Sequence, residues 1–282
     1  MVGERSGRRV VPELPDVALF ARVLERSGTG RPIAAVVVRD ARILADITPD
    51  RLAAELGGDR LEAVRRHGKH LFAARARGGF LRFHFGMTGT LEPFAETEPS
   101  HARLVLRFAT PPHLAYVDVR MLGEVGLVDD ADAWLRAHHI GPDALDPALT
   151  AEAFAARLGR SRRSIKAALV DQSVVAGLGN VYADEVLFQA GLRPDVPVAA
   201  LDRGWRERLF RTMRTVLETA VRLGAASERF TERLPEDWLT RVRGRRDAAC
   251  PRCGGPLATL RIGGRTSRYC PRCQLDPRAA KG

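Results

Sequence analysis

The sequence predicts an α+β protein of several domains: an N-terminal antiparallel β-sandwich with flanking helices, a helical domain and a C-terminal zinc-binding hairpin. Three observations predict this fold class. Alternating apolar and polar residues dominate positions 34–119, helical patterning follows after about residue 140, and all four cysteines lie near the C-terminus. A chain of 282 residues is long enough for about two domains with hydrophobic cores of their own.

A helix is predicted at residues 13–27. Pro12 and Pro15 suit the entry to a helix, and Gly28 suits its end. The apolar residues that share one helical face are Val17, Phe20, Ala21 and Leu24.

Strands are predicted next, because short apolar runs with a period of two are separated by turn residues such as Gly78-Gly79 and Pro111-Pro112. The predicted strands are residues 34–38, 70–76, 80–85, 103–108 and 114–119. Short strands with turns between them favour an antiparallel sandwich.

The next region is predicted to be helical. Thr150 and Ser164 can each cap the N-terminus of a helix. A Gly-rich turn then leads into a helix at 180–189, and a longer amphipathic helix follows at 201–223. Residues 224–240 connect these helices to the cysteine segment.

The cysteines form two Cys-x-x-Cys pairs separated by sixteen residues, namely Cys250, Cys253, Cys270 and Cys273. Four thiolates in two such pairs are typical of a tetrahedral zinc site, and we expect one structural ion. Between the pairs, Gly263-Gly264 predicts a two-residue hairpin turn. Disulfides are the alternative, which the absence of a secretory signal disfavours.

The net charge of +11 is concentrated toward the C-terminus, where residues 222–282 hold fourteen Lys and Arg against six Asp and Glu. Such asymmetry favours a polyanionic partner, since bound basic residues release the counterions of nucleic-acid phosphates. The alternative is a solvated basic face in an arginine-rich protein. No apolar run approaches the roughly 18 residues of a membrane span, and we expect a cytoplasmic protein.

The turn Gly177-Leu178-Gly179-Asn180 opens a helix, and free N–H groups at such an end can bind phosphate. The alternative is a tight turn between helices with Asn180 as its cap. Next to a zinc hairpin, the first interpretation predicts a helix-plus-ribbon grip on DNA.

Several motifs occur in an order that resembles a known family. They are PELPDV from Pro12, HGKHL, FHFGMTGTL, the DVR segment ending at Arg120, HIGPDAL, GLGNVYADE and the four-cysteine finger. The chain is similar over residues 12–274 to the formamidopyrimidine-DNA glycosylase and endonuclease VIII family of helix–two-turn–helix DNA glycosylases. The resemblance implies a catalytic sandwich at 12–130, a helix–two-turn–helix domain at 131–240 and a zinc finger at 241–276.

The resemblance also implies a catalytic centre at Pro12, Glu13 and Lys69. In the family, an N-terminal proline amine attacks C1′ of the damaged nucleoside, and the resulting iminium allows strand cleavage by elimination. Glu13 matches the proton-transferring acid, and Lys69 matches a phosphate-binding lysine. An alternative for Glu13 is a partner of the helix dipole.

Pro12 as printed follows Val11, so its nitrogen is an amide without a basic lone pair. Either the chain is catalytically inactive, or residues 1–11 are absent from the working protein. A GTG codon encodes valine and can also initiate translation, so initiation at position 11 would place Pro12 directly after the removable methionine. We therefore expect residues 1–11 to be a non-native extension or a misassigned start.

DNA contacts are implied for the residues that match the family's DNA-binding positions, which are His84, Met87, Arg120, Lys166, Asn180 and Arg265. Of these, Lys166, Asn180 and Arg265 match phosphate contacts of the family, whereas Met87 and Arg120 match the wedge of side chains that fills the gap left by the flipped base. The third wedge position, commonly aromatic in the family, is Leu122 here, so we expect weaker stacking.

Two further departures concern the substrate. Asp16 stands where the family usually has a second glutamate, and residues 224–240 are too short for the loop that covers extruded 8-oxoguanine. Ring-opened purines, oxidised pyrimidines and abasic sites therefore become comparably good candidates. The expected partner is damaged double-stranded DNA, bound by a monomer. The alternatives are a non-catalytic damaged-DNA-binding protein on the same fold and a zinc-ribbon adaptor unrelated to repair.

Overall fold

The structure, a computed structural model, describes residues 12–227, 229–245 and 247–278. The predicted extension at residues 1–11 lies outside the described residues. Two compact units are present: Pro12, Phe20–Arg66 and His70–Ala131 form the first, while Glu13–Leu19, His67–Lys69 and the described residues from Asp132 onward form the second. No described helix is both long and apolar enough to cross a bilayer.

The first helix, α1, spans Leu14–Gly28, within one residue of its predicted bounds. The first unit then contains eight strands: β1 Ile33–Val38, β2 Leu61–His67, β3 His70–Arg75, β4 Phe80–His84, β5 Thr90–Phe94, β6 Ala102–Phe108, β7 His113–Val117 and β8 Glu124–Val128. Helix α2, Pro49–Leu56, begins at an N-cap provided by Thr48.

The strands form two four-stranded sheets, ordered β1-β6-β7-β5 and β2-β3-β4-β8. Apolar side chains that alternate along the central strands fill the core, as the period-two pattern predicts. Phe83, Phe85 and Tyr116 stack there, with ring centroids about 6 Å apart. The predicted antiparallel sandwich is confirmed.

Three strands were not predicted, and all three lie at sheet edges: β2, β5 and β8. Only Leu61 of β2 is buried, so this strand lacks an apolar alternation. β5 contains Pro93, which a sheet tolerates only at an edge or a bulge. The fourth edge strand, β1, was predicted because its residues form an uninterrupted apolar run.

The second unit is mainly helical: α3 Ala131–Ala137, α4 Ala151–Leu158, α5 Ile165–Leu169, α6 Asn180–Ala190, α7 Arg203–Leu223 and α8 Leu239–Val242. Thr150 and Ser164 accept N-terminal hydrogen bonds of α4 and α5, which confirms the predicted caps. Helices α4 to α7 share one apolar core. Helix α3 starts earlier than the helical region that the sequence predicts.

The C-terminal hairpin pairs β9, Ala258–Ile262, with β10, Arg265–Tyr269. Gly263 and Gly264 have φ values of 55° and 74°, the positive values that a type I′ turn requires. The predicted hairpin is therefore confirmed, with Arg265 as the first residue after its turn.

Candidate active site and DNA-binding surface

The N-terminus of α6 binds the carboxylate of Glu13. The N–H groups of Gly179 and Tyr182 donate to Oε2 at 2.7 and 3.0 Å, and that of Val181 donates to Oε1 at 2.7 Å. Glu13 is only 1 % exposed. The prediction that these N–H groups point outward to phosphate is wrong, because the protein's own carboxylate occupies the positive end of the helix.

Gly179 is required by this close approach. A Cβ atom at position 179 would lie 2.5 Å from Cδ of Glu13, closer than two nonbonded carbon atoms can be. The backbone N–H of Leu14 also donates to the carbonyl of Gly177 at 3.0 Å. The Gly-rich turn therefore holds the start of α1 and fixes the Glu13 side chain.

Asp16 lies next to Glu13 and joins it to the segment after α7. Its Oδ2 accepts the Glu13 N–H at 2.9 Å and the Ser227 hydroxyl at 2.5 Å. The N–H of Ser227 also donates to this carboxylate, at 3.2 Å. Burial raises the pKa of the Asp16 carboxyl to about 6, although the hydrogen bonds from Ser227 and Glu13 oppose the rise.

Lys69 lies in the turn between β2 and β3. The N–H of Gly68 donates to Oδ2 of Asp143 at 2.5 Å, and Nε2 of His67 lies 2.8 Å from the carbonyl oxygen of Gly141. Asp143 and Gly141 belong to the HIGPDAL motif, which thus positions the lysine. Lys69 itself makes no hydrogen bond or ion pair with another described residue.

Burial and three nearby charged side chains shift the pKa of Lys69. Burial lowers the pKa of the Lys69 ammonium, the carboxylates of Glu13 and Asp16 raise it, and the guanidinium of Arg265 lowers it further. The structure therefore brings Glu13, Lys69 and Arg265 within electrostatic reach of one another. Pro12, directly before Glu13, is buried.

Arg265 is exposed and makes no side-chain hydrogen bond or ion pair with another described residue. A guanidinium displayed at a hairpin turn, without a protein partner, is available to bind phosphate. Asn180 is half-buried, and its Nδ2 donates to the carbonyl oxygen of Thr266 at 3.1 Å. The structure therefore places Asn180 against the hairpin.

Lys166 lies inside the protein rather than on the surface expected for a phosphate contact. It is 1 % exposed, and its Nζ lies 2.6 Å from Oδ1 of Asp184. Burial lowers the pKa of the Lys166 ammonium, and the charge of Asp184 opposes that effect. The direct phosphate contact expected from the sequence is therefore corrected to a buried ion pair.

The wedge candidates lie in two loops of the first unit, which Asp118 links. Oδ1 of Asp118 accepts the Thr88 hydroxyl at 2.5 Å and the Arg120 N–H at 3.1 Å, and Oδ2 accepts the Leu122 N–H at 3.0 Å. Met87 adjoins Thr88 and is half-buried, whereas Arg120 is exposed. Leu122 is 48 % exposed, so this wedge position displays an aliphatic side chain.

His84 ends β4, and its ring lies 4.9 Å from that of His70, its partner on β3. Its carbonyl oxygen accepts the Tyr116 hydroxyl at 2.9 Å. His84 as a whole is half-buried.

The four cysteines, Cys250, Cys253, Cys270 and Cys273, bring their sulfur atoms within 4.8 Å of one another. The Sγ atoms of Cys250 and Cys273 are 3.8 Å apart, and those of Cys253 and Cys270 are 3.6 Å apart. Four sulfurs at about 2.3 Å from a tetrahedral zinc ion would be about 3.8 Å apart. The four sulfur positions therefore fit a tetrahedral zinc site, and no disulfide forms among them.

Three buried aspartates were present in the family motifs without a predicted role: Asp118, Asp143 and Asp184. For Asp184 a signal existed, since it follows Asn180 by four residues and therefore lies on the same face of α6. For Asp118 and Asp143 no sequence spacing indicates the loops that they join.

Three sequence profiles match the chain. The formamidopyrimidine-DNA glycosylase N-terminal domain matches residues 11–125, and the H2TH domain of the same glycosylases matches residues 140–232. The zinc finger found in FPG and IleRS matches residues 249–275.

Whole-chain comparisons agree with these profiles. A formamidopyrimidine-DNA glycosylase of Geobacter metallireducens is 40 % identical over 276 residues, covering 94 % of this chain and all of that protein. Two solved structures from Lactococcus lactis are each 29 % identical and cover 94 % of this chain and 100 % of theirs. One is the glycosylase bound non-covalently to DNA with an AP site, with a TM-score of 0.84. The other is a variant bound to DNA with Fapy-dG, with a TM-score of 0.85.

Proposed function

The chain belongs to the formamidopyrimidine-DNA glycosylase family, and on that premise we propose that it removes oxidised or ring-opened bases from double-stranded DNA in base-excision repair and then cleaves the abasic site. The observation that carries the proposal is the fixed position of Glu13 at the start of α6, in the same compact unit as Lys69 and Arg265 and within electrostatic reach of Lys69. A carboxylate can carry protons, and the two cations can bind phosphate.

The nucleophile of the proposed reaction is the amine of Pro12. Attack of its nitrogen on C1′ displaces the damaged base, and the proton released by the nitrogen passes to Glu13. Glu13 then returns this proton to the sugar ring oxygen, so that the ring opens to an iminium. The iminium acidifies the proton on C2′, and loss of that proton expels the 3′ phosphate and cleaves the strand.

The geometry of Glu13 supports the positioning that this role requires. Three backbone N–H groups hold its two carboxylate oxygens. The side chain is also fixed at one position, directly after Pro12 in the chain. A group that transfers protons must be held close to the atoms that give and take them. The hydrogen bonds at the start of α6 hold Glu13 in this way.

The proposed chemistry requires Pro12 to be the first residue of the working enzyme. A proline nitrogen inside the chain is an amide, whereas a terminal one is a secondary amine with a pKa of about 8. The match to the family's N-terminal domain begins at residue 11, which supports initiation at Val11 followed by removal of the methionine. We propose that residues 1–11 are absent from the active form.

The proposed DNA contacts divide between the two units. In the second unit, Lys69, Asn180 and Arg265 would bind the phosphates around the lesion. In the first unit, Met87 and Arg120 would fill the space of the flipped nucleotide, with His84 near the backbone. One zinc ion on the four cysteines would hold the hairpin that carries Arg265.

The proposed substrates include ring-opened purines, oxidised pyrimidines and abasic sites besides 8-oxoguanine. Only Gly224–Trp238 separate α7 from α8. The hydrogen bonds that Ser227 donates to Asp16 hold this segment against the start of α1. A short, anchored segment supports a base pocket that is less selective than one closed by a long loop.

A panel of duplexes tests the proposal, each with ring-opened guanine, 8-oxoguanine, an oxidised pyrimidine or an abasic site. Protein that begins at Pro12 should release at least one of these bases and nick the strand. Glu13→Gln should reduce base release far more than DNA affinity. Glu207→Gln, which changes a carboxylate paired with Arg203 on the surface of α7, should leave both unchanged. Tight binding to lesion DNA without base release from any duplex would favour the non-catalytic alternative.

A further inference from the structure

The side chain of Asp184 joins the helical part of the second unit to the zinc hairpin. Its Oδ1 accepts Nζ of Lys166 at 2.6 Å and the Ser267 hydroxyl at 2.7 Å. Its Oδ2 accepts Nη2 of Arg243 at 2.8 Å, Nε of Arg243 at 3.1 Å and the Arg268 N–H at 3.0 Å. One carboxylate on α6 thus receives five hydrogen bonds, two of them from β10.

The carbonyl oxygen of Thr266 is a second junction in the same place. It accepts Nδ2 of Asn180 at 3.1 Å, Nη2 of Arg243 at 3.3 Å and Nζ of Lys166 at 3.4 Å. Two of these three donors also bind Asp184. The carboxylate therefore orients the same cations that hold the backbone of Thr266.

Burial makes this arrangement depend on the charge of Asp184. Lys166, Asp184 and Ser267 are each 1 % exposed or less. Among the described residues, Asp184 is the only carboxylate paired with either Lys166 or Arg243. Without it, the buried ammonium would lose its ion-pair partner, and Lys166 and Arg243 could not keep this geometry.

Helix α6 connects this junction to the proposed active site. The N–H groups at its start bind Glu13, and Asp184 follows in the next turn. Arg265 directly precedes Thr266 on β10. Buried hydrogen bonds hold Glu13 to the start of α6 and Ser267 of β10 to Asp184 on the same helix. The helix therefore sets the position of Arg265 relative to Glu13.

We infer that Asp184 is a positioning residue that holds Arg265 in place to bind a DNA phosphate beside the lesion, with Lys166 and Arg243 as its cationic partners. The inference rests on the proposed function, which assigns the phosphate contact to Arg265. In this inference, the buried Lys166 supports the DNA-binding surface from inside the protein and does not itself contact DNA.

A double-mutant cycle tests the inference, with lesion-DNA affinity measured across salt concentrations for Asp184→Asn, Arg265→Ala and the double variant. Each single change should weaken binding about tenfold at 0.1 M salt and reduce the slope of log affinity against log salt by about one. The double variant should be no weaker than either single variant, because both changes remove the same contact. Asp195→Asn, at a carboxylate paired with Arg193 on the surface, should keep the slope of the unmodified protein.

Zinc content and thermal melting show whether Asp184→Asn is folded. If it is not, Ser267→Ala takes its place in the cycle, since it removes one hydrogen bond to Oδ1 without changing charge, and its smaller loss should vanish in the Arg265→Ala background. If the losses of binding free energy are additive and the slope of the double variant falls by about two, the inference about Asp184 is overturned. The assignment of Arg265 as a phosphate contact would then still stand. An unchanged slope for Arg265→Ala alone would overturn the phosphate contact itself, and the inference with it.

Discussion

Buried carboxylates organise the residues of this site, and their hydrogen-bond partners decide what each one does. Glu13 caps α6 and would transfer protons in the proposed reaction, whereas Asp184 binds two cations and the hairpin. Asp118 joins the two wedge loops. The sequence gives the type of these residues but not their partners, because the groups that meet lie far apart in the chain: Glu13 and Gly179 are 166 positions apart.

Changing Asp16→Asn should alter how stability depends on pH. Burial raises the pKa of Asp16 from 3.8 to about 6, so the folded protein holds this proton more tightly than the unfolded chain does. The contribution to stability is therefore present below about pH 4 and is lost as the pH rises through about 6, by roughly 3 kcal/mol. Asn cannot ionise, so the variant should not show this loss.

Urea unfolding between pH 4 and pH 7.5 measures the effect. The free energy of unfolding of Asp16→Asn, relative to the unmodified protein, should increase with pH across this window. Parallel pH profiles for Asp16→Asn and the unmodified protein would contradict the raised pKa.

Changing Gly179→Ala should impair catalysis through Glu13. The new Cβ would lie 2.5 Å from Cδ of Glu13 and must displace it. A misplacement of about 1 Å can cost on the order of 100-fold in rate, and we expect a loss of that size in base release. Gly204→Ala is the matched control, because it lies at an exposed position in α7 where a Cβ would meet only Oδ1 of Asp202, at an ordinary contact distance of 3.5 Å. Single-turnover base release at the unmodified rate in Gly179→Ala would show that Glu13 need not occupy this position.

At the scale of elements, the sequence predicted α1, the central strands, α4 to α7 and the hairpin, because each has a strong local signal. Thr150 and Ser164 cap their helices as expected, and Gly263-Gly264 forms the expected turn. The edge strands β2, β5 and β8 were not predicted, whereas the edge strand β1 was, because its apolar run is uninterrupted.

The hairpin should depend on its metal. Two strands of five residues cannot be stable alone, and the cluster beneath them is small, with Phe188 and Leu239 packed against Cys250 and Cys270. Removal of zinc by a chelator, or Cys253→Ser, should abolish DNA binding because Arg265 loses its support. Anisotropy titration of labelled lesion DNA measures this loss, and added zinc should restore binding to the chelated protein only. Full affinity in protein shown to be free of metal would contradict this dependence.

At the scale of the whole molecule, the two units carry different parts of the proposed reaction. The first has the wedge loops with Met87 and Arg120, and the second has Glu13, Lys69 and the zinc hairpin. The excess of positive charge toward the C-terminus coincides with the hairpin and its approach. The motifs in the sequence are enough to propose these roles for the two units. They do not show that Lys166 is buried or that Glu13 occupies the helix end, because burial depends on the assembled core.

The most direct test of the central proposal is borohydride trapping on abasic-site DNA. Two forms are compared, one beginning at Pro12 after removal of methionine and one with all 282 residues, verified as intact by mass. The form beginning at Pro12 should yield a stable covalent complex, because borohydride reduces the iminium of a terminal proline amine. The full-length form should yield none, because an amide nitrogen cannot form an iminium. Equal trapping by both forms would contradict the assignment of Pro12 as the nucleophile, and no trapping by either would contradict the abasic-site lyase activity.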